Sequence, residues 1–368
     1  MAKPKKLPEG DKPVTPASIV ATRFGEMFKT ADGKLSGQFY ELIQKVGVRL
    51  ELPQGDAPYL VPGQPLIGTY DTGTTFQINK ASIFTNTSKM PGVSFAIPAG
   101  PPAFGGTCPA SALGENVAKS KQIVESQSGV KVKRLPVLGD ASPSEKAGVL
   151  MPGVQKSYAG DASFTCRSCY ALDGNYRYPS KQVNDMMHLA WVEYELAQGG
   201  PERLGQALAY AIHHANLTRP EGFQPYFRIH DAGDFFSPEY LDAWVVCASL
   251  MTHMRFWAPT RQWIFTKWAP LLARAEERVR AAGGWLVIRP SVLRFYETIP
   301  AVGGVSAGSG VSSEGADPCV WICPVYNKII PKPQPDGSVL MGEAKTCLEA
   351  NCTMCWDQPG VPVSYGAH

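Results

Sequence analysis

No run of 18 apolar residues occurs in the 368-residue chain, so no membrane-spanning helix is expected. Charge is scarce: 18% of residues are charged and the formal net charge is +3. Phosphate-backbone binding needs a localised basic surface, and the runs Lys5-Lys6 and Lys131 to Arg134 do not supply one, which argues against nucleic acid. There is no Gly-x-Gly-x-x-Gly after a first strand and no Walker sequence, so a nucleotide-binding reading is disfavoured. The segment Met1 to Ser18 lacks the apolar stretch of a secretory signal; rich in Lys and Pro, it is expected to be a disordered leader on a cytoplasmic protein.

Hydrophobic residues make up 44% of the chain, enough for a sizeable core, and 36 Gly with 32 Pro predict long irregular connections. Between residues 19 and 90, Phe28, Phe39, Leu42, Ile43 and Val46 outline an apolar helical face in an N-terminal extension. The pattern sharpens after residue 90. Val93 to Pro98, Tyr226 to His230, Trp263 to Thr266 and Trp285 to Arg289 read as strands. Helices are expected after an Asn184 cap, from Pro201, from Ser237-Pro238, and over 269–282 up to Gly283-Gly284. Strands alternating with helices imply parallel βαβ units. Polar residues at strand ends favour an α/β, TIM-barrel-like domain over 91–310, complete or partial, with an insertion at about 110–165. Residues 311–368 form a cysteine-rich segment packed on it.

Nine cysteines without a secretory signal point to metal or redox chemistry rather than disulfides. Cys166-Arg-Ser-Cys169 places two thiols at one edge of a metal or cluster. Cys319-Val-Trp-Ile-Cys323 is a second pair, and Cys347-x4-Cys352-x2-Cys355 has a recognised iron–sulfur spacing. Cys247 falls on an apolar helix face and reads as a buried thiol. The eight remaining are Cys108, Cys166, Cys169, Cys319, Cys323, Cys347, Cys352 and Cys355. They suit two four-cysteine sites, or one three-cysteine cluster with an open corner plus a zinc. A 4Fe-4S cluster, one or two, is the expected cofactor; zinc is the alternative. Tyr170, Trp321 and Trp356 stand beside these cysteines and are candidates for shielding them from water.

A second group is polar. His230, Asp231 and Asp234 follow a strand in a turn where Gly233 permits close backbone approach, and they are the candidate catalytic residues, with His230 as a proton shuttle. Arg228, two residues before His230, is expected to share its strand face. With Lys267, Arg289 and Ser291 it would hold a small anionic ligand.

Cys169-Tyr-Ala, Arg228-Ile-His-Asp-Ala-Gly-Asp-Phe-Phe236 and Cys347…Cys352…Cys355-Trp356 together resemble a phage protein family known by its gene-product number, eighty-eight, rather than by an activity. The likeness spans roughly residues 90 to 356 as sparse motifs, and the 110–165 segment departs from it by separating Cys108 from Cys166. It implies a phage-encoded protein in a bacterial host cell. The Cys-Tyr-Ala element also looks like that of radical-SAM-like phage proteins, although the C-x3-C-x2-C signature is absent because Tyr326 stands where its third cysteine would be. That implies S-adenosylmethionine (SAM) by resemblance only. Three functions follow. The first is an iron–sulfur oxidoreductase or radical-type enzyme. The second is a non-enzymatic accessory protein that binds a host redox or transcription protein. The third is a zinc-stapled binding module, with nucleic acid as the ligand to consider despite the lack of a basic cluster.

Overall fold

The computed structural model describes residues 90–100, 106–113, 149–158, 160–172, 174–217, 224–311, 320–327 and 345–366, together with Phe84 and five short strands. The expected leader, the apolar face from Phe28 to Val46, Cys319 and residues 114–148 of the expected insertion lie outside the described residues.

Strands β1 (Val48–Leu50), β2 (Ile67–Tyr70) and β3 (Thr75–Gln77) form a small antiparallel sheet. The main body is a four-stranded parallel sheet with interleaved helices. Its elements run β4 (Val93–Ala96), α1 (Pro179–Leu217), β5 (Tyr226–Ala232), α2 (Pro238–Leu250), β6 (Arg255–Thr260), α3 (Ala269–Ala281) and β7 (Trp285–Pro290). The strand order is β4-β5-β6-β7. Each strand lies beside its neighbour in sequence, so the crossovers all run one way and collect the helices on one face. This is the winding of a barrel, but among the described residues no strand pairs β7 back to β4; the sheet is open, and the closed form of the barrel expectation is corrected accordingly.

The local sequence explains most of these elements. Ser237 caps α2 by accepting from the Tyr240 amide at 3.2 Å, and Pro238 opens the helix at a position that has no amide to lose. Helix α1 starts at Pro179, so Asn184 is inside it rather than capping it. The two helices expected here form one bent element, broken at Gly199-Gly200 before Pro201; Gly200 adopts φ +66°, which a side chain would resist. Between sheet and helices lies an aromatic core in which Trp244 packs against Phe95 and Phe227.

The expected strand Trp263 to Thr266 is instead a 3-10 turn, Gln262–Ile264, with an isolated bridge from Phe265 to Leu150. The strand in that position of the fold is β6, which carries Pro259. Proline is tolerated because β5 pairs with β6 only as far as Trp257, and Pro259 pairs with β7 alone.

The sheet face opposite the helices is covered by the C-terminal segment. Trp356 is buried there, 5.4 Å from the Trp257 ring and 5.3 Å from Tyr226, and its indole N–H donates to the Phe227 carbonyl at 3.0 Å. A second parallel sheet follows, of β8 (Ser309–Val311), β12 (Val363–Tyr365) and β9 (Trp321–Ile322) in that order. The strands β10 (Ile330–Pro333) and β11 (Val339–Gly342) make a separate antiparallel pair.

Candidate functional site

The loops that leave the carboxyl ends of β4, β5, β6 and β7 meet at one edge of the sheet, where open α/β sheets place their sites. Cys108 is in the loop after β4, anchored by its amide to the Gly100 carbonyl at 2.9 Å. Cys166 and Cys169 come from the segment before α1. It is pinned to the loop after β7 by the Thr165 amide, which donates to the Leu293 carbonyl at 2.8 Å. Cys169 packs against Ala96 and Ala232, the last residues of β4 and β5. Two side chains tie these loops together. Asp234 receives the Thr260 hydroxyl at 2.6 Å and the Arg261 amide at 2.9 Å, and its own amide donates to Thr107, next to Cys108, at 3.1 Å. Arg261 donates to the Thr165 hydroxyl, next to Cys166, at 3.1 Å.

The three thiols sense one another. Burial, then the charges of Asp234 and Cys169, raise the Cys108 thiol well above its ordinary value, and Cys166 contributes further. Burial pushes Cys166 up to about 11 against the opposing pull of Arg261, with Cys169 adding to the rise. Gly233, at φ +88°, lets the β5 turn close on the β4 loop; a Cβ there would stand 2.4 Å from Ile97 and 2.7 Å from Thr107. Its close approach serves the neighbouring loop.

A second set of thiols lies on the sheet face under Trp257 and Trp356. The β9–β12 pairing carries Cys323 to the level of Tyr365, and the Cys323 amide donates to the Ser364 carbonyl at 2.8 Å. The Tyr365 hydroxyl lies 3.3 Å from the Cys355 sulfur. The Cys352 amide donates to the Cys347 carbonyl at 2.9 Å, closing the loop between them. Burial and then Cys355, Cys323 and Cys352 raise the Cys347 thiol. No described cysteine is in a disulfide, and only Cys247, buried in α2, stands outside both sets. Among the described residues, no group of three or more His, Cys, Asp or Glu side chains is set to hold a metal ion.

The polar residues separate. Arg228 and His230 do not share a face. Ser94 pairs with Arg228 and Ala96 with Ala232, so β5 carries two extra residues across that interval, and the alternation is lost. His230 turns into the helix-side core against Phe235 and Tyr240, where burial and then Arg228 push it down to about 3. It is neutral near pH 7, which corrects the proton-shuttle reading. Arg228 lies over Trp257 on the opposite face and donates to the Tyr170 hydroxyl at 2.7 Å. Asp231 accepts from Tyr176 at 2.5 Å and faces Arg228 at 3.4 Å. Burial, outweighing three hydrogen bonds, raises Asp234 to about 6.

The expected anion-binding set is not assembled either. Arg289 is fully buried, and its guanidinium donates to five carbonyls, those of Cys355, Ala307, Val361, Met354 and Gln358, which engages every N–H it has. It clamps the C-terminal segment to β7. Lys267 is exposed ahead of α3, and the Ser291 hydroxyl pairs with Ser309 at 3.1 Å. Of the aromatics beside cysteines, Trp356 is buried, whereas Tyr170 and Trp321 are 47% and 41% exposed. Sequence reasoning missed Arg261, Thr107, Thr165 and Tyr365. Arg261 directly follows β6, and the strand expected at Trp263 to Thr266 would have left it ahead of the strand rather than at its carboxyl end.

A family model described as gene product 88 matches residues 69–278, more than half of the chain. No curated protein and no solved structure matches it. The matched segment contains the three thiols at the sheet edge and ends before the four under Trp356.

Proposed function

We propose, for a chain that belongs to the phage gene product 88 family, that it is an iron–sulfur protein with two thiolate sites. Cys108, Cys166 and Cys169 hold one, and Cys323, Cys347, Cys352 and Cys355 hold the other. The observation that carries this reading is the grouping itself. Apart from Cys247, every described cysteine falls into one of two sets, each drawn from more than one segment of the chain, and burial raises the thiols of Cys108 and Cys166 in one and of Cys347 and Cys355 in the other. As neutral thiols these groups are stable where they are; as thiolates they would need a cation to offset burial and mutual repulsion, which a cluster supplies.

The spacing favours a cluster over zinc. A single zinc about 2.3 Å from each sulfur draws its ligands to within roughly 4 Å of one another. In a cluster each thiolate binds its own iron, so the sulfurs stand wider apart while still sharing one charge environment. Cys347-x4-Cys352-x2-Cys355 has the sequence spacing of such a cluster. When bound, such clusters supply one-electron transfer, and a 4Fe-4S cluster with only three cysteine ligands has an iron open to another donor.

The chain contributes separation and shielding. Arg289 holds the four-thiol segment on the sheet, and Trp257 and Trp356 keep water from one side of it. Tyr170 follows Cys169 directly and meets Arg228, whose positive charge weakly opposes the burial that raises the thiols of Cys347 and Cys355. The four-thiol site is suited to store an electron and the sheet-edge site to use it.

Anaerobic isolation of the full chain tests this. The expected result is a brown protein with iron and acid-labile sulfide in equal amounts, which loses part of its iron in Cys169→Ser and another part in Cys352→Ser. Colourless protein with stoichiometric zinc overturns it. Deoxyadenosine formed on adding SAM and dithionite would extend it to radical chemistry.

A further inference from the structure

We infer that Cys347 and Cys352 are a thiol–disulfide pair: a small disulfide oxidant links them, and the link withdraws two thiols from the set under Trp356. The consequence for iron rests on the iron–sulfur reading of that set. The link itself does not, because it forms in metal-free protein.

The turn between the two cysteines is fixed at both ends. At its start the Thr346 hydroxyl accepts from the Glu349 amide at 3.0 Å, and the Glu349 carboxylate accepts from the Lys345 amide at 2.8 Å. At its end the Cys352 amide donates to the Cys347 carbonyl at 2.9 Å, and nested inside that bond the Asn351 amide donates to the Leu348 carbonyl at 3.0 Å. Asn351 stands at φ +46°. Two nested bonds around a left-handed residue are the Schellman ending of a helical turn. That ending brings the side chain of its first residue against the side chain of its last, where an apolar contact frequently forms. In this turn both of those residues are cysteines.

The other two thiols of the set are engaged elsewhere. The Cys355 sulfur lies 3.3 Å from the Tyr365 hydroxyl and packs with Trp257 and Trp356, and Cys323 is buried at the end of β9. Cys347 and Cys352 are half-buried, and Leu348 between them is 60% exposed, so an oxidant reaches the turn from solvent. With glutathione disulfide as the oxidant, one thiolate of the pair attacks a glutathione sulfur; that S–S bond breaks and one glutathione leaves. The second thiolate attacks the protein sulfur of the mixed disulfide and releases the other glutathione. The pair gives up two electrons and two protons, and two glutathione thiols are formed. The fixed turn holds the second thiol at high effective concentration, which favours the internal link over a second glutathione.

The test uses full-length protein isolated anaerobically, analysed for iron and sulfide, then treated with a chelator, reduced, freed of reductant and equilibrated in glutathione buffers of increasing disulfide content. Free thiols are alkylated and the peptides mapped by mass. The expected product is lighter by two hydrogens and carries one crosslink, Cys347 to Cys352, with Cys323 and Cys355 alkylated. In Cys352→Ser no crosslink forms, and Cys347 takes up one glutathione. Asn351→Val resists the positive φ, so its midpoint shifts about tenfold towards the disulfide-rich buffers, whereas Asn351→Gly accepts that backbone and keeps the parent midpoint. A crosslink to Cys355 or Cys323, glutathione adducts alone, or equal midpoints in parent and Asn351→Val overturn the inference. Iron and sulfide in the isolated protein, with no crosslink after their removal, overturn this inference and leave the cluster reading standing. A crosslink in protein isolated without iron or sulfide overturns the cluster reading alone.

Discussion

Around Cys108, Cys166 and Cys169 the chain is held by hydroxyls and a carboxylate that join four loops, and among the described residues the arginine there has two acceptors. Around Cys323, Cys347, Cys352 and Cys355 it is held by packed indoles and by an arginine with every donor engaged on backbone. The first is a polar junction between loops, and the second is a packed face. The same residue type therefore joins two loops just after β6 and clamps a whole segment to β7, and the count of its acceptors tells the two apart.

Breaking the clamp should have the largest effect. Arg289→Met leaves five carbonyls without a donor, and a loss of roughly 4 kcal/mol in folding free energy is expected. Chemical denaturation measures it, and iron analysis should show the four-thiol site emptied first. Gly233→Ala strikes the other region. A methyl group at φ +88° and 2.4 Å from Ile97 should cost about 2–3 kcal/mol and displace the Cys108 loop, so that the three-thiol signal is lost while the four-thiol signal stays. The opposite pattern of iron loss would reverse the assignment of the two sites.

Removing the charge between them is a gentler change. Arg228→Met takes a cation from the neighbourhood of Cys347 and Cys355. The reduced, more negative state of the four-thiol site loses stabilisation, so its potential should fall by on the order of 50 mV in a redox titration, with the other site little altered.

The smallest expected effect is on pH dependence in the metal-free protein. Asp234 is raised to about 6 in the fold from 3.8, so the folded chain binds more protons in that interval. Its contribution to stability is complete below about pH 4 and is lost as pH rises through about 6. Asp234→Asn should flatten that part of a melting-temperature profile, and an unchanged slope would show that another group carries it.

Much of the framework could be read along the chain. β4, β5 and β7 are apolar runs bounded by turns, and α2 announces itself with Ser237-Pro238. β6 could not be read in the same way, since Arg255-Phe-Trp-Ala-Pro-Thr260 opens on a charge and contains a proline; only its one-sided pairing makes it a strand. The bulge in β5 was equally hidden, and with it the parting of Arg228 from His230, because extra residues in a strand leave no mark on its composition.

The sequence by itself determined the alternation of strands with helices and the supply of thiols, because apolar periodicity and cysteine spacing are local properties. Tertiary structure decided which thiols share a charge environment. Cys108 comes under the influence of Cys166 across the departure at 110–165, and Cys355 and Cys323 both act on Tyr365, since loops that leave neighbouring parallel strands converge however much chain lies between them. It also decided the fate of the two arginines, for whether a guanidinium finds five carbonyls or two acceptors depends on what folds over it.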